Sequence, residues 1–233
     1  MLILGIETSG LRGGIAVCRD GACLAETALE NAPRRHAQTL VTQIQVTLAG
    51  LDVRIADLEA VAVSIGPGSF TGLRVGVVCG KTLAYATGCR LAAVDTLEAI
   101  AANSPADLAE VQVIADAQRG ELFVGTYRRS ADNEWIRTDA PSIVVAAEWM
   151  ARLQAGDVVT GPGLTTVDRR PASAAWQSLP ESAWTPSART VAQIGARQIA
   201  RGLLADCATL EPFYLRRSAA EERADPAGTS TAK

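Results

Sequence analysis

The stretch best suited to chemistry is Gly66-Pro67-Gly68-Ser69-Phe70-Thr71-Gly72. It joins an apolar run at 60–65 to a helical pattern, so its backbone N–H groups point at whatever sits above the helix N-terminus, which could be an anion. It has neither the lysine-bearing ending of a phosphate loop nor the dinucleotide fingerprint. The plainer reading is a tight turn in which Ser69 or Thr71 caps the helix, and residue chemistry alone favours the turn. Glu7-Thr8-Ser9 closes the first apolar run. Glu7 is placed either to hold a metal-bound water or to end a strand in solvent. Asp116-Ala117-Gln118-Arg119-Gly120-Glu121 could form a phosphate-facing hairpin, or a simple turn in which Asp116 bonds the local backbone; the turn is again favoured. His36 is the only histidine. That excludes a two-histidine metal site and a histidine-based catalytic pair beyond one residue. A helix-start position facing solvent or an interface suits it better than catalysis. Ser69 has no evident base and Cys79 lies inside a helix, so no hydrolase triad assembles.

Positioning these groups requires a frame. Residues 2–8, 13–19 and 22–29 read as strands, the last two joined by an Asp20-Gly21 hairpin turn. Beyond a loop around Asn31-Ala32-Pro33, the residues Ala37, Leu40, Val41, Ile44 and Leu48 recur at helical spacing up to Gly50. Residues 60–65 form a buried strand, 72–86 a helix and 91–94 another buried strand. Asp95 and Glu98 are spaced like a capping pair. The order β-β-β-α-β-α-β-α predicts a mixed sheet covered on both faces. It is the ribonuclease-H-like order found in each half of actin-like ATPases. A polar segment at 103–107 with Pro105 marks the boundary at about 104. A second, smaller lobe, 105–217, follows, with strands at 111–115, 121–127 and 142–145 and a short helix around Trp149. A further strand runs into the turn Gly161-Pro162-Gly163. The late helix at about 188–204 is expected to pack back on the first lobe, and 218–233 to form a disordered tail.

The helix after the glycine loop carries Gly72, Gly76, Gly80 and Ala84 four residues apart, hence on one face. Interior glycine costs a helix up to about 1 kcal/mol relative to alanine, so this bare stripe needs compensation from close packing. Its own sheet and a partner helix are equally good candidates.

Composition narrows the function classes. The chain has 233 residues, 48% of them hydrophobic, and a formal net charge of −3. This balance gives no electrostatic reason to bind nucleic acid or an anionic membrane alone. No segment suits a bilayer crossing, and Met1–Ile6 reads as a buried strand rather than a signal peptide. The five cysteines offer neither a disulfide framework nor a zinc pattern. The hairpin turn would set Cys18 opposite Cys23; in a reducing cytosol such a pair reads as strand packing.

The loop Gly66–Gly72, the following Leu73-Arg74-Val75-Gly76 and Gly80 resemble the TsaB family, a bacterial subunit of tRNA threonylcarbamoyladenosine biosynthesis. Ile6-Glu7-Thr8-Ser9, Arg35-His36, Asp116–Glu121, Gly161-Pro162-Gly163 and Tyr214-Leu215-Arg216 match in order along nearly the whole chain. The resemblance implies a two-lobed actin-like fold and a cytoplasmic, non-catalytic subunit that pairs with a TsaD-type catalytic subunit. That partner transfers threonylcarbamoyl to the adenosine beside the anticodon. It also implies that a TsaE-type ATPase joins the pair, that tRNA is met only through the complex, and that ATP and metal belong to the partners. The pairing surface it implies is the helix at 36–49 with the glycine-ridged helix, through His36, Leu40, Ile44, Gly72, Leu73, Gly76 and Gly80, and a homodimer could use the same surface. Glu7, Thr8, Ser9, Asp116, Arg119 and Gly161 would then be a vestigial nucleotide site. Glu7 stands where the family usually has aspartate, and the catalytic relative's His-x-x-x-His motif is missing. The rival readings are an actin-fold ATPase or phosphotransferase acting alone and, less favoured, a peptidase.

Overall fold

A computed structural model of the protein describes residues 1–29, 33–167 and 176–216, with side chains in the first helix described from residue 39 onward. The side chain of His36 and the tail 218–233 lie outside the described residues.

The first lobe is built on a five-stranded mixed sheet in the order β3-β2-β1-β4-β5. Its strands are β1 (Leu2–Glu7), β2 (Gly14–Arg19), β3 (Ala22–Ala28), β4 (Ala60–Gly66) and β5 (Arg90–Asp95). β2 is antiparallel to β1 and β3, while β4 runs parallel to β1 and to β5. Positive φ at Asp20 (51°) and Gly21 (85°) gives the β2–β3 turn the twist that a two-residue hairpin requires. The central strands are apolar on both faces because both are covered. On one face lie α1 (Pro33–Gly50) and α2 (Phe70–Thr87), whose Leu40, Ile44, Leu48 and Val77 pack on Leu4, Ile6, Val61 and Val63. On the other lies α5 (Ala188–Ala200), whose Ala188, Val191, Ala192 and Ile194 pack on Ile3, Ala16, Ala62 and Ala92. The approach is close. A Cβ on Gly5 would sit 2.2 Å from the Ala188 carbonyl oxygen, and one on Gly195 2.3 Å from Cβ of Ala62.

The second lobe has a sheet in the order β11-β10-β6-β7-β8, with β9 pairing with the β7 stretch that β8 leaves open. Its elements are β6 (Glu110–Asp116), β7 (Glu121–Arg129), β8 (Trp135–Arg137), β9 (Ser142–Val145), α4 (Ala146–Arg152), β10 (Val158–Thr160) and β11 (Gln177–Ser178). The short helix α3 (Thr96–Ala101) sits at the seam of the lobes and buries Leu97 and Ile100 against Val111, Val113, Phe123 and Tyr127. β8 and β11 were not legible as strands, since three and two residues carry no periodicity.

Candidate functional site

Three segments converge on the loop that precedes α2. Ser69 is the N-cap: its Oγ accepts from the Gly72 N–H at 3.3 Å, and its own N–H donates to the Ser9 carbonyl at 2.6 Å. The Gly66 N–H donates to Thr96 Oγ1 at 3.1 Å and the Leu73 N–H to the Ser69 carbonyl at 2.8 Å. A Cβ on Gly68 would lie 2.5 Å from the Ser9 carbonyl oxygen. These N–H groups are thus spent on the chain itself, as in the turn-and-cap reading.

That packing buries the end of β1. Glu7 is 1% exposed, and its Oε1 accepts from Ser9 N–H at 2.6 Å and Ser9 Oγ at 2.5 Å. Among the described residues, Glu7 Oε2 and Thr8 Oγ1 are buried without hydrogen-bond partners. Burial pushes the Glu7 carboxyl above the usual carboxylate range, against the lowering effect of the Ser9 bonds. The expectation of a solvated strand end is therefore corrected: Glu7 is an interior acid, covered because the glycine loop folds over it.

The remaining residues expected at a nucleotide site belong to the other lobe. Asp116 Oδ1 accepts from the Gln118 N–H at 2.7 Å, which is the local-turn role. Arg119 is exposed on that turn at φ 57°. Gly161, at φ 116°, lies against the Ile114 carbonyl, 2.1 Å from where a Cβ would be. The chain bridges the glycine loop and this turn with its own residues 213–216. Phe213 N–H donates to the Ile65 carbonyl at 2.7 Å, and Tyr214 stacks on Phe70 with centroids 4.7 Å apart. Leu215 packs into the second-lobe core. Arg216 donates to the Ala117 carbonyl at 2.6 Å and pairs with Glu121. Residues 213–216 thus run from the glycine loop to the Ala117–Glu121 turn, while Asp116 and Arg119 stay exposed beside them.

The glycine stripe faces inward. A Cβ on Gly72 would stand 2.0 Å from the Thr8 carbonyl oxygen, on Gly76 2.2 Å from Thr8 Oγ1, and on Gly80 3.4 Å from Val63. Leu73, Leu40 and Ile44 are each 1% exposed, within the first-lobe core. This corrects the expected pairing surface at Leu40, Ile44, Gly72, Leu73, Gly76 and Gly80. The helices are neighbours on one face of the sheet, but these residues serve the chain's own core. Their outward faces instead carry Val41 (56% exposed) and Val46 (60%) on α1, and Val78 (60%) and Tyr85 (83%) on α2. Exposed Thr42, Gln45, Arg74 and Thr82 flank them. The signal available in the sequence was α1's surplus of apolar residues: Leu40, Ile44 and Leu48 complete one stripe, leaving Val41 and Val46 off it.

The seam between the lobes is ionic. Asp95 caps α3, with Oδ1 accepting from Leu97 N–H at 2.8 Å. Its Oδ2 accepts from Tyr127 Oη at 3.0 Å and Arg137 at 2.7 Å, both from the second lobe. Burial, and then the Asp95 charge, push the nearby Glu98 carboxyl up to about 7. Glu134 holds Arg197 and Arg201 at 3.3 and 2.6 Å. Among the described residues no group of three His, Cys, Asp or Glu could hold a metal ion, and no helix is long and apolar enough to cross a membrane.

The family described as "TsaD: tRNA N6-adenosine threonylcarbamoyltransferase" matches residues 29–147. A Bacillus subtilis (strain 168) relative, named "tRNA threonylcarbamoyladenosine biosynthesis protein TsaB", is 33% identical over 67% of this chain and 68% of its own. The Escherichia coli (strain K12) protein of the same name is 27% identical over 94% of this chain and 96% of its own. A solved structure titled "YeaZ from Pseudomonas aeruginosa" superposes with a TM-score of 0.76 at 25% identity, covering 92% of this chain and 99% of that one.

Proposed function

The chain belongs to the TsaB family, whose named members serve tRNA threonylcarbamoyladenosine biosynthesis, and we propose that it is the non-catalytic partner of the TsaD-type transferase, docking through the outward faces of α1 and α2. The observation that carries this reading is a pair of adjacent helices whose inner stripes are saturated by their own sheet while Val41, Val46, Val78 and Tyr85 stay uncovered. Apolar groups so placed contribute about 25 cal/mol per Å² once another surface removes them from water. Chemistry by this chain alone has less support, because Glu7 is buried and hydrogen-bonded and residues 213–216 tie the glycine loop to the 117–121 turn. Threonylcarbamoyl transfer, ATP and metal then belong to the partner subunits. A TsaE-type ATPase joins the pair, tRNA is met through the assembly, and the site of action is the cytoplasm. The isolated chain could pair with a second copy through the same face.

The test is co-purification with the TsaD-type subunit. Val78→Asp and Tyr85→Asp, both on solvent-facing positions, are expected to weaken capture at least about tenfold, the effect of roughly 1.4 kcal/mol, with unchanged melting of the isolated chain. Undiminished capture by both variants would refute the assignment of this face.

A further inference from the structure

We propose that Cys18 and Cys23 form a modification site: a thiol pair that closes to a cross-strand disulfide when it meets a low-molecular-weight disulfide such as oxidised glutathione. The two residues are opposite in register across β2 and β3. Only Asp20 and Gly21 separate Arg19 from Ala22. Arg19 and Ala22 therefore flank the turn's own hydrogen bond, and the next pair outward is of the non-hydrogen-bonded kind. Cα atoms of such a pair lie about 4.5 Å apart, inside the range of about 4.4–6.8 Å that a disulfide spans. Just beyond the pair the register shifts, so that Ala25 rather than Leu24 opposes Val17. That bulge increases the local twist of the hairpin at the thiol pair.

Both thiols are free. Cys18 is buried beneath α5, packed with Ala16 and Ala192, while Cys23 is half-buried and packs against the same cluster. Their sulfurs interact: burial first, then the charge and hydrogen bond of Cys23, push the Cys18 thiol up to about 12. Cys23, half-buried, is the more accessible attacker, and Cys18, buried opposite it, is the resolving thiol, which gives up its proton to attack. An open groove of about 530 Å³, lined by Met1, Ile3, Cys18, Gln193 and Arg197, lies beside the Cys18 end of the pair.

The reaction balances without any further oxidant. The Cys23 thiolate attacks one sulfur of the reagent, whose S–S bond breaks and releases one thiolate. Cys18 then attacks the Cys23 sulfur, its proton passing to the second departing thiol. Two protein thiols are oxidised and one reagent disulfide becomes two thiols.

The experiment incubates the full chain with excess oxidised glutathione, blocks free thiols and digests with trypsin, which separates residues 13–19 from residues 20–34. The expected product is these two peptides joined through Cys18 and Cys23, with loss of two hydrogens from the intact mass and reversal by a reductant. Cys18→Ser should stop at a glutathionyl adduct on Cys23, accumulating about tenfold more of it than the wild type. Cys23→Ser should leave Cys18 unmodified. A wild-type chain that keeps a stable adduct on Cys23 beside a free Cys18, or that pairs either residue with Cys79, Cys89 or Cys207 instead, overturns the proposal. The wild-type peptide map decides this even if a serine variant fails to fold.

Discussion

Alanine placed in turn at the three glycines of α2 separates an inward stripe from an outward one. At Gly72 the added methyl meets the Thr8 carbonyl oxygen at 2.0 Å, a backbone atom held by its own strand. At Gly76 it meets Thr8 Oγ1 at 2.2 Å, a hydroxyl that is buried without a partner and can rotate about χ1. At Gly80 the nearest atoms are Val63 Cβ and Cγ1 at 3.4 Å, ordinary contact. Overpacking costs typically about 1–3 kcal/mol, and replacing an interior helical glycine by alanine returns up to about 1 kcal/mol. Gly72→Ala, in the first turn where propensity matters least, should lose roughly 2 kcal/mol or more, close to 4–8 °C in Tm for a chain of this size. Gly76→Ala should lose roughly 1 kcal/mol, and Gly80→Ala should be neutral or gain a few tenths of one. Urea titration at constant m-value, with thermal melts alongside, measures the series. Equal stability of all three variants, coupled with lost partner capture, would refute the inward assignment and restore the stripe to an interface.

Other perturbations follow from the seam and its bridge. Glu98 has a folded pKa near 7 against a usual 4.5, so the folded chain holds its proton more tightly than the unfolded one. Its contribution to stability is intact below about pH 4.5 and is lost as pH rises towards 7. Tm measured across that window should therefore fall less steeply in Glu98→Gln, and an unchanged slope would remove Glu98 from the account. Arg216→Ala deletes two hydrogen bonds from a guanidinium to the 117–121 turn, worth about 1.5–3 kcal/mol apiece where charge is involved. Amide exchange of residues 117–121 should quicken at least about tenfold while that of β4 stays put, and unaltered exchange would show that residues 213–216 do not hold the lobes together.

Much of the first lobe was legible because its signals are local. Asp20-Gly21 prescribes a two-residue hairpin, Ser69 and Asp95 are cap residues, and all three act within a few residues of chain. What local signals could not supply is which surface meets which. Four-residue glycine spacing defines a stripe but not its direction, and the direction depends on Thr8 and Val63, distant in sequence. Glu7-Thr8-Ser9 reads as a polar strand end, and only the loop from 66 to 72 folding over it makes an interior acid. Residues 205–216 carry no helical or strand period, so their course from the Leu91 carbonyl to the 117–121 turn was not readable in advance.

The division of labour on α2 sets a condition on any partner. The glycines let the helix backbone lie close to β1 and β4, so its side-chain-bearing positions are left for the outside. Four exposed apolar residues cannot by themselves reach the roughly 800 Å² per partner of a standard interface. Docking must therefore draw in the polar flank, with Thr42 and Gln45 on α1 and Arg74 and Thr82 on α2. Arg74 is the informative member. Its guanidinium lies 3.9 Å from the Phe70 ring centroid, and its Nε donates to Tyr214 Oη at 2.9 Å. It thus presents a cation already oriented by the chain that closes the interlobe seam. A partner that engages Arg74 meets a side chain whose rotamer entropy has largely been lost beforehand, which lowers the cost of association and ties that edge of the docking face to the closed arrangement of the lobes.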